Sequence, residues 1–191
     1  MPADGPLLEL PDRDAWAEWL AQHGESSSGV WLKLARKEGG GRSLTYAEAL
    51  DVALCHGWID GQKGGIDERH WRQRFTPRRP RSRWSKRNRQ RAEELLAAGA
   101  MAPAGVREVE AARADGRWEA AYDSSKTAEV PPDLQAALDA DPAARDFFAG
   151  LDRANRYAIL YRLQEARRPE TRARRLEKFL VMLRDGRRIH E

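Results

Sequence analysis

A chain of 191 residues is long enough for one full hydrophobic core, or for a core with a smaller appended unit. Its composition is that of a globular protein with 41 % hydrophobic and 34 % charged residues, and the charges nearly cancel at a net +4. The pI of about 9.4 tilts the expected partner toward an anion.

Cys55 is the only cysteine, which excludes an internal disulfide and fits a reducing compartment. Met1–Leu10 carries Asp4 and Glu9, with neither a basic start nor an apolar run of signal-peptide length. No stretch approaches the ~20 apolar residues that cross a bilayer. The expectation is a cytoplasmic protein without membrane insertion.

Asp12 or Asp14 can cap a first helix, on which Trp16, Trp19 and Leu20 recur at i, i+3, i+4; Gly24 ends it. Val30–Lys37 alternates. Val30, Leu32 and Leu34 point one way and Trp31, Lys33 and Arg36 the other, as in a half-buried strand that Gly39-Gly40-Gly41 closes. Ser43–Glu48 starts a second helix with Thr45 and Glu48 at capping-box spacing, and Gly57 stops it. Trp58–Gln62 and Trp71–Thr76 read as a hairpin joined at Lys63-Gly64-Gly65, with some slack from Asp67 to Arg69. Pro77 and Pro80 begin an extended loop. From Ser85 onward the pattern is helical, over 85–98, 103–114, 132–138, 142–149, 153–167 and 170–184. In the last of these Leu176, Phe179, Leu180 and Leu183 form one stripe, and Gly186 suits the position after the helix. The expected class is α+β: a small antiparallel sheet with helices over 1–84, with its hairpin at about 58–76, then an all-helical part over 85–191. The polar stretch 123–132 is the candidate joint.

From Arg69 to Arg91 there is no acid. The basic residues are Arg69, Arg72, Arg74, Arg78, Arg79, Arg81, Arg83, Lys86, Arg87, Arg89 and Arg91. Guanidinium forks suit phosphate and carboxylate. Trp58, Trp71, Trp84 and Phe75 interleave with them and could shape a pocket. Ser85 is the expected N-cap of a helix whose first turns carry Lys86, Arg87, Arg89 and Arg91, while Glu93 and Glu94 come later. That order opposes the helix dipole and leaves a doubly positive corner suited to an anion. The candidate ligand-binding residues are therefore Trp58, Asp60, Trp71, Phe75, Arg78, Arg79, Trp84, Ser85, Lys86, Arg87 and Asn88. The competing reading pairs these arginines with carboxylates and buries the tryptophans in the core.

Other chemistry is sparse. Cys55 and His56 are adjacent, so on a helix they point about 100° apart, and Cys55 reads as a buried structural thiol. Asp60, in Gly57-Trp58-Ile59-Asp60-Gly61, could hold an arginine such as Arg74, or act as an acid/base with His56 or His70. No cluster has metal-ligand spacing, and no phosphate- or dinucleotide-binding glycine motif occurs, so no metal or cofactor is expected.

Several blocks together resemble one family. Gly57-Trp58-Ile59-Asp60-Gly61, Phe75-Thr76-Pro77-Arg78-Arg79 and Trp84-Ser85-Lys86-Arg87-Asn88 are similar to the YdeI/OmpD-associated, or bacteriocin-protection, family. So are Gly116-Arg117-Trp118, Val130-Pro131-Pro132-Asp133-Leu134 and Thr171-Arg172-Ala173-Arg174-Arg175, and the resemblance spans about residues 12–186. It implies a small bacterial α+β part followed by a helical part, and a role in resistance to antimicrobial peptides or an association with a porin. It carries over no catalytic residues. Three functions follow as expectations: a stress- or defence-associated protein binding a small anion, a nucleic-acid binder using the same arginines, or an enzyme using Asp60 and a histidine.

Overall fold

The computed structural model describes residues 5–36 and 44–191. The glycine run at 39–41 and Ser43 lie outside the described residues, as do Asp4 and the residues before it. The chain forms two compact units, Met1–Ala121 and Tyr122–Glu191.

The first unit is built on a sheet in the order β1-β2-β4-β3, with β1 Leu7–Leu8, β2 Val30–Ala35, β3 Trp58–Gly65 and β4 His70–Pro77. β2/β4 and β3/β4 are antiparallel as expected, but β1 joins the edge parallel to β2. The sheet is therefore mixed. Two residues are too few to show an alternation, so nothing in the sequence marks β1 as a strand.

The hairpin also turns later than its glycines suggest. Lys63, Gly64 and Gly65 pair with Gln73, Arg72 and Trp71 inside β3. The turn is made by Ile66–Arg69, where the Asp67 carboxylate accepts from the Arg69 and His70 N–H groups, both at 2.7 Å. The register slips between Asp60 and Lys63. There the buried Gln73 side chain donates to the Gly61 and Gln62 carbonyls at 2.9 and 3.1 Å, satisfying backbone that the ladder leaves unpaired.

The helices α1 (Arg13–His23), α2 (Tyr46–Cys55), α3 (Lys86–Ala97) and α4 (Pro103–Ala114) complete this unit. Asp12 caps α1 and Ser85 caps α3, while Thr45 and Glu48 form a reciprocal capping box on α2. Val30, Leu32 and Leu34 enter one core cluster with Trp16, Leu20, Leu50, Leu54, Trp58 and Phe75. Trp84, Ala92 and Leu95 near α3, and Val109, Ala112 and Trp118 near α4, belong to the same cluster. That shared burial goes with a first compact unit that runs to Ala121.

The second unit contains α5 (Pro132–Asp139), α6 (Pro142–Ala149), α7 (Arg153–Gln164) and α8 (Pro169–Arg184) around a separate cluster with Leu134, Leu138, Phe148, Ile159, Leu163, Phe179 and Leu183 at its centre. Bidentate pairs tie α8 to its neighbours: Arg172 to Asp133 at 2.6 and 2.7 Å, and Arg184 to one oxygen of Asp141 at 2.6 and 2.9 Å. Among the described residues, no helix is long and apolar enough to cross a membrane.

Candidate functional site

The basic segment leaves the sheet at Pro77 and reaches α3 through a loop whose backbone is held locally. The Ser82 hydroxyl accepts from the Arg79 N–H at 2.8 Å, and the Ser85 hydroxyl accepts from the Asn88 N–H at 3.1 Å. Apart from Arg69 and Arg83, the segment's cations fall into three groups. Arg72, Arg74 and Arg78 lie over indoles: Arg72 and Arg74 at 4.5 and 5.8 Å from the Trp31 ring centre, Arg78 at 3.5 Å from that of Trp84. Arg91 sits on Asp51 through two bonds of 2.6 and 2.7 Å and on Glu94 at 2.6 Å, while Arg89 lies 3.9 Å from Glu93. Arg79, Arg81 and Arg87 are exposed and have no carboxylate partner among the described residues. Lys86, next to Arg87 in the chain, is also exposed.

The aromatic residues of the segment are core. Phe75 is fully buried, and Trp58 and Trp84 are each 1 % exposed. Trp84 packs against Trp118 at 4.8 Å, and Trp58 meets Trp16 and Trp19 edge-on at about 6 Å. Trp71 is half-buried against Tyr46. Asn88 is buried, and Ser85 spends its hydroxyl on the cap. Of the sequence candidates, Arg79, Lys86 and Arg87 are thus the charged side chains on the surface. Arg87 borders a 350 Å³ cleft with Asp51, Asn88, Arg91 and Glu94, in which Arg91 is already neutralised.

A larger cleft of 530 Å³ opens elsewhere on the first unit. His56, Gly57, Trp58 and Arg78 line it from the α2–β3 junction and the end of β4, Leu20 and Glu25 from the end of α1, and Ala104, Arg107 and Glu108 from α4. Gly57 has φ +75°, and a Cβ there would sit 3.0 Å from the Ala104 carbonyl oxygen and 3.1 Å from Glu108 Cγ, so the cleft floor must be bare backbone. The Trp58 indole N–H donates to the Gly24 carbonyl at 3.3 Å, fixing its ring against the wall. Glu25 and Arg107 pair at 3.5 Å although 82 residues separate them, a proximity that no local pattern reveals.

The acid–base candidates do not form a pair. Asp60 accepts from the Tyr46 hydroxyl at 2.8 Å. Burial first, then the Asp60 charge and this hydrogen bond, hold the Tyr46 phenol well above its ordinary range, against a smaller opposing pull from Arg87. Tyr46 is thus the partner that sequence reasoning missed; it lies 14 residues away on another element. His70 pairs instead with Asp67 at 3.0 Å. Burial lowers the His56 pKa, so its imidazole is neutral at pH 7, and burial followed by the Asp51 charge raises that of the Cys55 thiol. Among the described residues, no three His, Cys, Asp or Glu side chains converge as metal ligands.

Comparison with known proteins divides along the two units. Residues 8–108 match the family described as a domain of unknown function, DUF8412. The Trp58–Gly61, Phe75–Arg79 and Trp84–Asn88 blocks all fall inside that match. Residues 127–186 match the family described as "Bacteriocin-protection, YdeI or OmpD-Associated". No curated protein and no solved structure matches the chain. The second match lies wholly within the helical unit, and the first covers more than half of the chain, so the protein belongs to the DUF8412 family.

Proposed function

We propose that this protein acts in the cytosol as a stress- or defence-associated binding protein, recognising a small anionic ligand through Arg79, Arg81 and Arg87, with Lys86 next to Arg87 in the chain. One observation carries the reading: these three exposed arginines have no carboxylate partner among the described residues, while Arg89 and Arg91 in the following turns each have one. Arg87, with Lys86, lies in the first turn of α3, where each cation costs a few tenths to ~1 kcal/mol at low salt. A bound phosphate or carboxylate relieves that repulsion. The protective role is taken from the description of the family matched by the second unit. A single-stranded nucleic acid is the weaker partner, since Trp58 and Trp84 are buried and offer no stacking face.

The test is a thermal-shift titration with tripolyphosphate, ATP and a short oligodeoxythymidylate, at low and high salt. Tripolyphosphate or ATP is expected to raise the melting temperature, by the equivalent of about 2.7 kcal/mol at a hundredfold excess over Kd. The triple variant Arg79→Ala, Arg81→Ala, Arg87→Ala is expected to abolish the shift. A shift that survives the triple variant refutes the site. A response confined to the oligonucleotide and lost steeply with salt replaces the small anion with nucleic acid.

A further inference from the structure

A cleft of 670 Å³ runs along one side of α7 in the second unit and shares no residue with the arginine surface proposed above. Its volume lies in the range of about 300–1,000 Å³ common to small-molecule sites. Ala154, Tyr157, Ala158 and Tyr161 line it at i, i+3, i+4, i+7 spacing, so they form one stripe of the helix. The alanines are short beside the tyrosine rings, which gives the stripe its hollow. Both rings are half-buried and held in place. The Tyr157 hydroxyl donates to the Asp123 carbonyl at 2.7 Å, and Tyr161 meets Tyr122 edge-on at 5.2 Å and Tyr157 at 5.8 Å. The wall is therefore a fixed, mainly apolar surface that receives a flat molecule without reordering.

The rim carries an excess of positive charge. Glu165 lies 3.6 Å from Arg175, which offsets it. Arg153 and Arg162 are exposed and have no carboxylate partner among the described residues. A cation entering this space gains no open carboxylate, and a small hydrophilic anion leaves the tyrosine–alanine stripe uncovered. A flat apolar molecule with one anionic group uses both features.

We propose that this cleft binds a small aromatic acid. Its ring lies against Tyr157 and Tyr161, and its carboxylate pairs with a guanidinium at the rim, where Arg153 precedes Tyr157 by one helical turn and Arg162 follows Ala158 by one.

The experiment is a ¹⁵N–¹H correlation titration of the intact chain with three probes: 2-naphthoate, neutral 2-naphthamide and 2-naphthylmethylammonium. They share the ring and differ in charge. The expected result is saturable shifts of the Ala158 and Tyr161 amides with 2-naphthoate, at least about tenfold tighter than with the ammonium probe. The double variant Arg153→Gln, Arg162→Gln should weaken 2-naphthoate to the level of 2-naphthamide and leave the binding of 2-naphthamide unchanged. Both arginines are exposed, so their loss leaves the fold intact. The proposal is overturned by the absence of saturable shifts at these amides, by the ammonium probe binding as tightly as 2-naphthoate, or by the double variant binding 2-naphthoate as the native chain does.

Discussion

Gly105→Ala tests the packing that shapes the first unit, because two opposing effects can be weighed there. Gly105 sits in the first turn of α4, and replacing glycine by alanine in a helix normally stabilises it by up to ~1 kcal/mol. Here a Cβ would lie 2.2 Å from the Cys55 carbonyl oxygen, 2.7 Å from its carbonyl carbon and 2.8 Å from the Leu54 carbonyl oxygen. All three are backbone atoms at the end of α2 and cannot rotate away. Relieving the contact means moving α4 off α2, which also stretches the 3.0 Å hydrogen bond from the Ala102 N–H to the same Cys55 carbonyl. Overpacking costs roughly 1–3 kcal/mol and the hydrogen bond about 0.5–1.5, so the clash outweighs the propensity gain. The expected net loss is about 1–3 kcal/mol. The assay is urea unfolding followed by tryptophan fluorescence, since all seven tryptophans lie in the first unit. Gly65→Ala is the control: its Cβ would meet nothing closer than 4.0 Å, and a change within about 0.5 kcal/mol is expected. A Gly105→Ala chain as stable as the native one would show that α4 does not dock through this contact.

Two further substitutions probe single polar groups. Asn155 is 2 % exposed and pins the C-terminal residues of the second unit: its amide donates to the His190 carbonyl, and its oxygen accepts from the Ile189 and His190 N–H groups at 3.0 and 2.8 Å. Asn155→Ala should cost about 2–3 kcal/mol and speed amide exchange at Ile189 and His190; unchanged exchange there counts against the pinning role. Tyr46→Phe tests the phenol–carboxylate pair through pH. The folded-state pKa of Tyr46 is raised, so the protonated phenol contributes stability that is fully present below the unfolded value of about 10 and is lost as pH rises through the folded value. Between roughly pH 9 and 11 the native first unit should therefore lose stability with a component of up to about 1.4 kcal/mol per pH unit that the Phe variant lacks. Tyr46 is the only tyrosine of that unit, so parallel slopes for the two proteins leave the Asp60 bond without support.

The helices were legible because their signals are local. Asp12, Thr45 with Glu48, and Ser85 cap the ends their spacing predicted, and the stripe ending at Leu183 packs as one face. Strands were legible where they alternate over several residues, as in β2, and illegible where they do not, as in β1. At the hairpin, an Asp67 side chain taking two backbone N–H groups set the turn in place of the glycines. The site was half legible. The abundance of arginine in 69–91 is a property of the sequence, but which arginines are consumed is not.

The chain's composition and local periodicity determined the α+β class, the helix ends and the basic segment, because capping, periodicity and charge act between residues close in sequence. Only the tertiary structure decided that Arg91 falls on Asp51, forty residues away, and that Arg78 falls on Trp84 while Arg79 and Arg87 remain on the surface. It also brought Glu25 to Arg107 across a cleft and extended the first unit to Ala121. Those outcomes depend on which apolar faces find one another, and the charged side chains follow the faces that carry them.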